Sequence, residues 1–167
     1  MGIIFDTVEE FFESHGWSYA TEKDNFILST SVAGNNGRWN CFAQVREEQE
    51  QFIFYSIFPV NASEDKLDAL AEFITRANFG LSIGNFELDY SDGEIRFRTS
   101  IDVEGDRLSV ALVEQLVRNN LAITDRYLPG VMAVLYGMVE PEVAIHNVEG
   151  SASSILSQVD AKKDLEV

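Results

Sequence analysis

A single cysteine, Cys41, stands in the 167-residue chain, so no intramolecular disulfide can form and a fold stapled by sulfur bridges is excluded. Histidine is nearly as scarce. His15 and His146 are the only imidazoles, and neither is spaced with Cys41 in a zinc-like set. Cations are outnumbered, 12 Lys and Arg against 28 Asp and Glu, for a formal net charge of -16. Such a chain repels phosphate backbones and carries no basic stripe, which argues against direct nucleic-acid binding. No apolar run is long enough to span a bilayer, and no basic segment precedes an apolar core at the N-terminus. Membrane insertion and a secretory signal are therefore not expected, and the cytoplasm is the expected compartment. The sequon Asn61-Ala62-Ser63 is then silent, and Ser63 reads as a helix cap.

What the chain has in quantity is apolar bulk: 46% hydrophobic residues, with Phe at 12. At this length folding buries about 70% of the unfolded chain's surface, enough for one domain with a real core. The hydrophobic pattern divides it. Val8, Phe11 and Phe12 lie on one helical face after Asp6, a candidate N-cap with Glu9 three positions on, and this helix ends near Gly16. From Trp17 to Pro59 the period falls to two, with turn signals at KDN, GNNG and REEQEQ, which predicts a four-stranded antiparallel meander. Turns centred on Asp24-Asn25, Asn35-Asn36 and Glu48-Gln49 pair Thr21 with Leu28, Leu28 with Ala43, and Cys41 with Ser56, respectively. All three agree on one inner face, and a one-residue slip would turn a whole strand inside out.

The opposite face is not uniformly polar. Phe42 falls opposite Tyr55, with Ile53 and Ile57 on the same strand, so these four residues form an apolar island and a candidate partner-binding surface. Beyond Pro59, Ser63 opens a second helix with Leu67, Leu70, Phe73, Ile74 and Ala77 on its buried stripe. The stretch ELDYSDGEIRFR then reads as a hairpin with a two-residue Asp92-Gly93 turn, setting Tyr90 opposite Ile95, Asp89 opposite Arg96, Leu88 opposite Phe97 and Glu87 opposite Arg98. From about Asp106 a long helical pattern follows, which Pro129-Gly130 should kink or break into two. The expected order is α-β-β-β-β-α-β-β-α, an α+β fold with helices packed on one face of an antiparallel sheet. Residues 1–146 form the single domain, and 147–167 read as a polar, mobile tail.

No catalytic constellation emerges. A nucleophilic site needs Ser or Cys, a base and an orienting group, and both histidines read as surface residues. The carboxylates Glu87, Asp89 and Asp102 could be imagined as a glycosidase-like set, but Arg partners opposite Glu87 and Asp89 would hold those two ionised. The D-x-x-D-G spacing lacks the alternating acids of an EF-hand loop. No cofactor and no metal are expected.

The run Ala77-Asn78, Leu81, Gly84, Phe86 to Asp89, Asp92-Gly93 and Arg96-Phe97-Arg98, supported by DRYLPGVMAVLYG from Asp125 to Gly137, resembles the bacterial YbjN family of sensory transduction regulators. The likeness covers about Thr7 to Glu142. It implies a fold similar to the type III secretion chaperones, small acidic α+β proteins that dimerise and bind other polypeptides. It implies no catalytic residue set. The reading is a non-enzymatic protein-binding module, a chaperone-like or regulatory adaptor in bacterial signalling or stress response, with an unidentified protein partner or client. Two alternatives stay open: a structural homodimer that consumes the island, and a small-molecule sensor with a pocket between sheet and helices.

Overall fold

Alternation with a period of two builds a six-stranded antiparallel sheet, and every strand buries its apolar parity on the same side. The computed structural model describes residues 2–150. In chain order the elements are α1 (Ile3–Ser14), β1 (Ala20–Glu22), β2 (Ile27–Ala33), β3 (Arg38–Arg46), β4 (Gln51–Asn61), α2 (Leu67–Phe79), β5 (Asn85–Leu88), β6 (Glu94–Asp102) and α3 (Val110–Tyr136). A further helical segment, α4, occupies residues 141–150. The strands lie in the order β1-β2-β3-β4-β6-β5. The expected α+β order is therefore present.

The three meander registers are those that the turn centres require: Thr21 faces Leu28, Leu28 faces Ala43, and Cys41 faces Ser56. The last hairpin differs. Tyr90 to Gly93 form a four-residue loop, because the Asp89 carboxylate accepts the Ser91 N–H at 2.8 Å and closes an Asx turn before Asp92-Gly93 is reached. Gly93, at φ +74°, ends the loop. The pairing consequently slides by two residues, so Leu88 faces Ile95, Glu87 faces Arg96 and Asn85 faces Arg98. An even slide leaves each side chain on its expected face.

Helix ends are satisfied from a distance. Helix α1 begins at Ile3 rather than after Asp6, because Glu47, in the turn before β4, accepts the Phe5 N–H at 2.6 Å and the Ile4 N–H at 3.4 Å. Ser63 does not cap by accepting a backbone amide; its hydroxyl donates to Asp65 at 2.6 Å. Helix α3 runs through Pro129 without a break. Proline has no N–H for the carbonyl four residues back, which is Asp125, and that carbonyl accepts the Asn36 side-chain amide at 3.0 Å instead. The Asp125 carboxylate also takes the backbone N–H groups of Asn35 and Asn36, so the β2–β3 turn is latched to the helix where the proline frees an acceptor. Next to it, a Cβ on Gly130 would crowd both Phe73 and Val148, so α2 and α4 close on α3 there. The first residues of the expected tail, 147–150, thus belong to a packed helix, and 151–167 lie outside the described residues.

Between α3 and the sheet lies a buried polar chain. Asn120, fully buried, sets its Nδ2 3.1 Å from the carbonyl oxygens of Phe54 on β4 and Phe97 on β6, and 3.3 Å from Thr99 Oγ1. Ser56 donates to Asn120 Oδ1 at 2.6 Å and accepts the Trp39 indole N–H at 3.0 Å. Thr99 passes the chain to the Leu116 carbonyl at 3.2 Å. One turn beyond Asn120, the Thr124 hydroxyl is buried with no hydrogen-bond partner among the described residues.

These two neighbours should answer substitution in opposite directions. Asn120→Ala strands the groups it serves and is expected to cost about 3 kcal/mol, whereas Thr124→Val removes an unsatisfied hydroxyl and should stabilise by about 1 kcal/mol. Urea unfolding measures both; equal destabilisation by the two would contradict the network.

Candidate functional site

Core and helices lie on the inner face of the sheet, and none of the outward-facing strand residues joins that core. The island predicted from alternation is on the outer face. Phe42 pairs with Tyr55 across β3 and β4, Asn40 pairs with Ile57, and Gln44 pairs with Ile53. The four residues are brought together, but to different depths. Phe42 is 37% exposed, Tyr55 and Ile57 are half-buried, and Ile53 is only 5% exposed. Ile53 sits on the central strand between Gln44 and Ser100, so it forms the floor of the patch rather than its contact edge.

Strand β6 adds what the meander alone does not show. Tyr55 faces Arg98 and Ile57 faces Arg96 on the same surface. The Arg96 guanidinium lies over the Tyr55 ring, 4.5 Å from its centroid, an arrangement that contributes about 0.5–1 kcal/mol at an exposed site. Glu87, across on β5, pairs with both cations: Oε2 accepts from Arg96 Nε at 2.6 Å, whereas Oε1 lies 3.1 Å from Arg98 Nε in an ion pair that leaves this buried N–H without a hydrogen-bond partner among the described residues. Partial burial works against the Arg96 charge, but the hydrogen bond and the charge of Glu87 outweigh it and raise the guanidinium above its ordinary value. Asp89, expected opposite Arg96, turns instead to Ser91. Its hydrogen bonds there hold its carboxyl below the usual range, as a bond from Gln51 does for Asp102. Both are acids biased toward the ionised form, opposite to what proton donation in a glycosidase requires.

The short edge strand β5 is closed to further pairing at Phe86. Asn78 on α2 receives the Phe86 N–H on Oδ1 at 2.7 Å and donates from Nδ2 to the Phe86 carbonyl at 3.1 Å, so a side-chain amide stands where a neighbouring strand would. Cys41 is fully buried, 3.4 Å from Ser56 Oγ, and burial pushes its thiol up to about 11. His15 closes the end of α1, its Nδ1 2.9 Å from the Phe11 carbonyl and its Nε2 3.7 Å from Glu114. No described helix is long and apolar enough to cross a membrane.

A six-stranded antiparallel sheet backed on one side by helices in this order defines an α+β protein. The chain belongs to the YbjN family, described as "Putative bacterial sensory transduction regulator", whose model matches residues 5–132. Among solved structures, YbjN from E. coli is similar at 12% identity and TM-score 0.56, over 78% of this chain and 87% of that one. ExsC in the ExsC–ExsE complex is similar at 13% identity and TM-score 0.55, over 77% and 95%. The Yersinia pestis type III secretion chaperone SycH, in complex with a fragment of YscM2, aligns at 13% identity and TM-score 0.48, over 73% and 98%. No curated protein sequence matches the chain.

The thiol offers a check on the inner face. Because the folded state raises the Cys41 pKa, the stability tied to its proton is complete below the ordinary thiol range and is lost as pH rises toward about 11. Maleimide labelling at pH 8 should therefore wait for unfolding and accelerate with urea; rapid labelling of the native chain would contradict the burial.

Proposed function

We propose that this chain is a non-enzymatic protein-binding module, a chaperone-like or regulatory adaptor in bacterial signalling or stress response. It works in the cytoplasm and binds through the outer sheet face around Phe42, Tyr55 and Ile57, with Ile53 beneath them. The observation that carries the reading is the exposed Phe42, paired with Tyr55 at the edge of an apolar patch that no described element covers. Aromatic side chains bury about 150–250 Å² each, and at ~25 cal/mol per Å² a few of them support a modest interface. ExsC, of the same fold, is itself seen in a complex with ExsE, which accords with a protein partner here.

A second copy of the chain is the rival occupant of the face. A different class of reading, a small-molecule sensor, is favoured by a hollow of about 510 Å³ between α3, α4 and the β2–β3 turn, lined by Arg126, Ala133, Ala144 and Val148. That hollow lies between helices rather than between sheet and helices. A metabolite that raised the melting temperature with saturating dependence would support it.

Tyr55→Glu tests the leading reading. It places a carboxylate in the apolar row and removes the ring beneath Arg96, so partner capture from lysate should fall by about 30-fold while the circular dichroism spectrum stays that of the folded chain. Unchanged capture would sink the assignment. If light scattering finds a wild-type dimer that becomes a folded monomer on the same substitution, the face serves self-association.

A further inference from the structure

Charge is distributed unevenly over this molecule. On the outer strand positions Arg38, Arg46, Arg96 and Arg98 stand against Glu22, Glu87, Glu94 and Asp102, so this face is balanced. The formal charge of -16 therefore resides on the helices, loops and ends. A basic segment is drawn to those acidic surfaces, while the outer face is where an acidic segment meets the least like charge.

Beside Tyr55, Arg96 and Arg98 stand against Glu87 and Glu94, so this neighbourhood is neutral on a molecule that is elsewhere acidic. Glu87 lies against the Nε edge of both arginines, hydrogen-bonded to Arg96 and ion-paired with Arg98, whose buried Nε has no hydrogen-bond partner among the described residues. Neither terminal nitrogen of Arg96 makes a hydrogen bond among the described residues; Nη1 lies 4.0 Å from Glu94 Oε1. Arg98 uses only Nη2, at 3.4 Å from Asn85 Oδ1. Two guanidiniums with donors to spare lie beside the half-buried Tyr55 and the exposed Phe42, and planar guanidinium is the group that receives carboxylates with two parallel bonds.

We infer that the outer face takes an acidic amphipathic segment of another protein, apolar side chains on Phe42 and Tyr55 and carboxylates on Arg96 and Arg98. This rests on the reading of the face as a protein-binding surface and names the chemistry of its partner. The probes are two labelled synthetic peptides with the same Phe and Ile spacing, one with Glu and one with Lys at the intervening positions, titrated by fluorescence anisotropy. The Glu peptide should bind the wild-type chain about tenfold or more tightly than it binds the Arg96→Glu/Arg98→Glu double variant. It should bind Glu87→Gln a few-fold more tightly than wild type, because the competing carboxylate is gone and both arginines remain. Helical and sheet content by circular dichroism accompanies each variant.

Stronger wild-type binding of the Lys peptide, or Glu-peptide binding indifferent to the double substitution, overturns the inference. Phe42→Ser separates it from the reading beneath it. If Phe42→Ser weakens the Glu peptide but the arginine substitutions do not, the face stands and its acidic preference falls. If neither matters, the face itself is not the site. A wild-type dimer dissolved by the arginine substitutions makes a second copy the occupant and overturns the inference.

Discussion

The carboxamide of Asn120 is the interaction on which the rest of the architecture depends. Its position midway along α3 brings a helix against two central strands whose inner face carries Ser56 and Thr99 among phenylalanines. Either hydroxyl buried alone would cost on the order of 1–3 kcal/mol. Joined through Asn120 to Trp39, to the Phe54 and Phe97 carbonyls and to α3 itself, these groups are satisfied together. The network also sets direction. A helix tied to the inner face this way cannot cover the outer one, so the sheet has one side committed to the core and one side left for other contacts.

The same economy of polar side chains recurs at the margins. Glu47 serves the first amides of α1, Asp125 and the carbonyl freed by Pro129 hold the β2–β3 turn, and Asn78 closes the edge at Phe86. In each case an amide or carboxylate completes main-chain groups that a helix end, a proline or a sheet edge leaves open. Asn78, Asp125 and Pro129 all fall within the segments that carry the family resemblance, and each has a structural explanation that needs no reaction. Function is better sought where a side chain is exposed without such a task, which describes Phe42.

Much of this was legible from residue order. The meander registers followed from period-two alternation alone, since the apolar sets of Leu28, Cys41 and Phe52 leave one pairing that buries them all. What escaped was non-local or competed locally. Asp92-Gly93 is a strong turn signal, yet Asp89 captures the turn first. Pro129 signals a break, but the compensating donor Asn36 lies far away in the chain. Asn120 and Thr124 continue the buried stripe of Val113 and Val117, a pattern that could have marked them as buried polar positions. At the candidate site, the face of each residue could be read from parity, but its depth could not. Ile53 is covered because β4 is central, and the arginines reach Tyr55 only through a β4–β6 pairing that no short turn announces.

Charge and apolar surface therefore point to the same place. The outer face joins the exposed Phe42 and half-buried Tyr55 to two guanidiniums on an otherwise acidic body. Its availability is the central claim, and hydroxyl-radical footprinting of the dilute isolated chain tests it most directly. The account predicts ready oxidation at Phe42 and measurable oxidation at Tyr55, with Phe52, Phe54 and Phe97 protected. Protection of Phe42 and Tyr55 to the level of those core phenylalanines would contradict it.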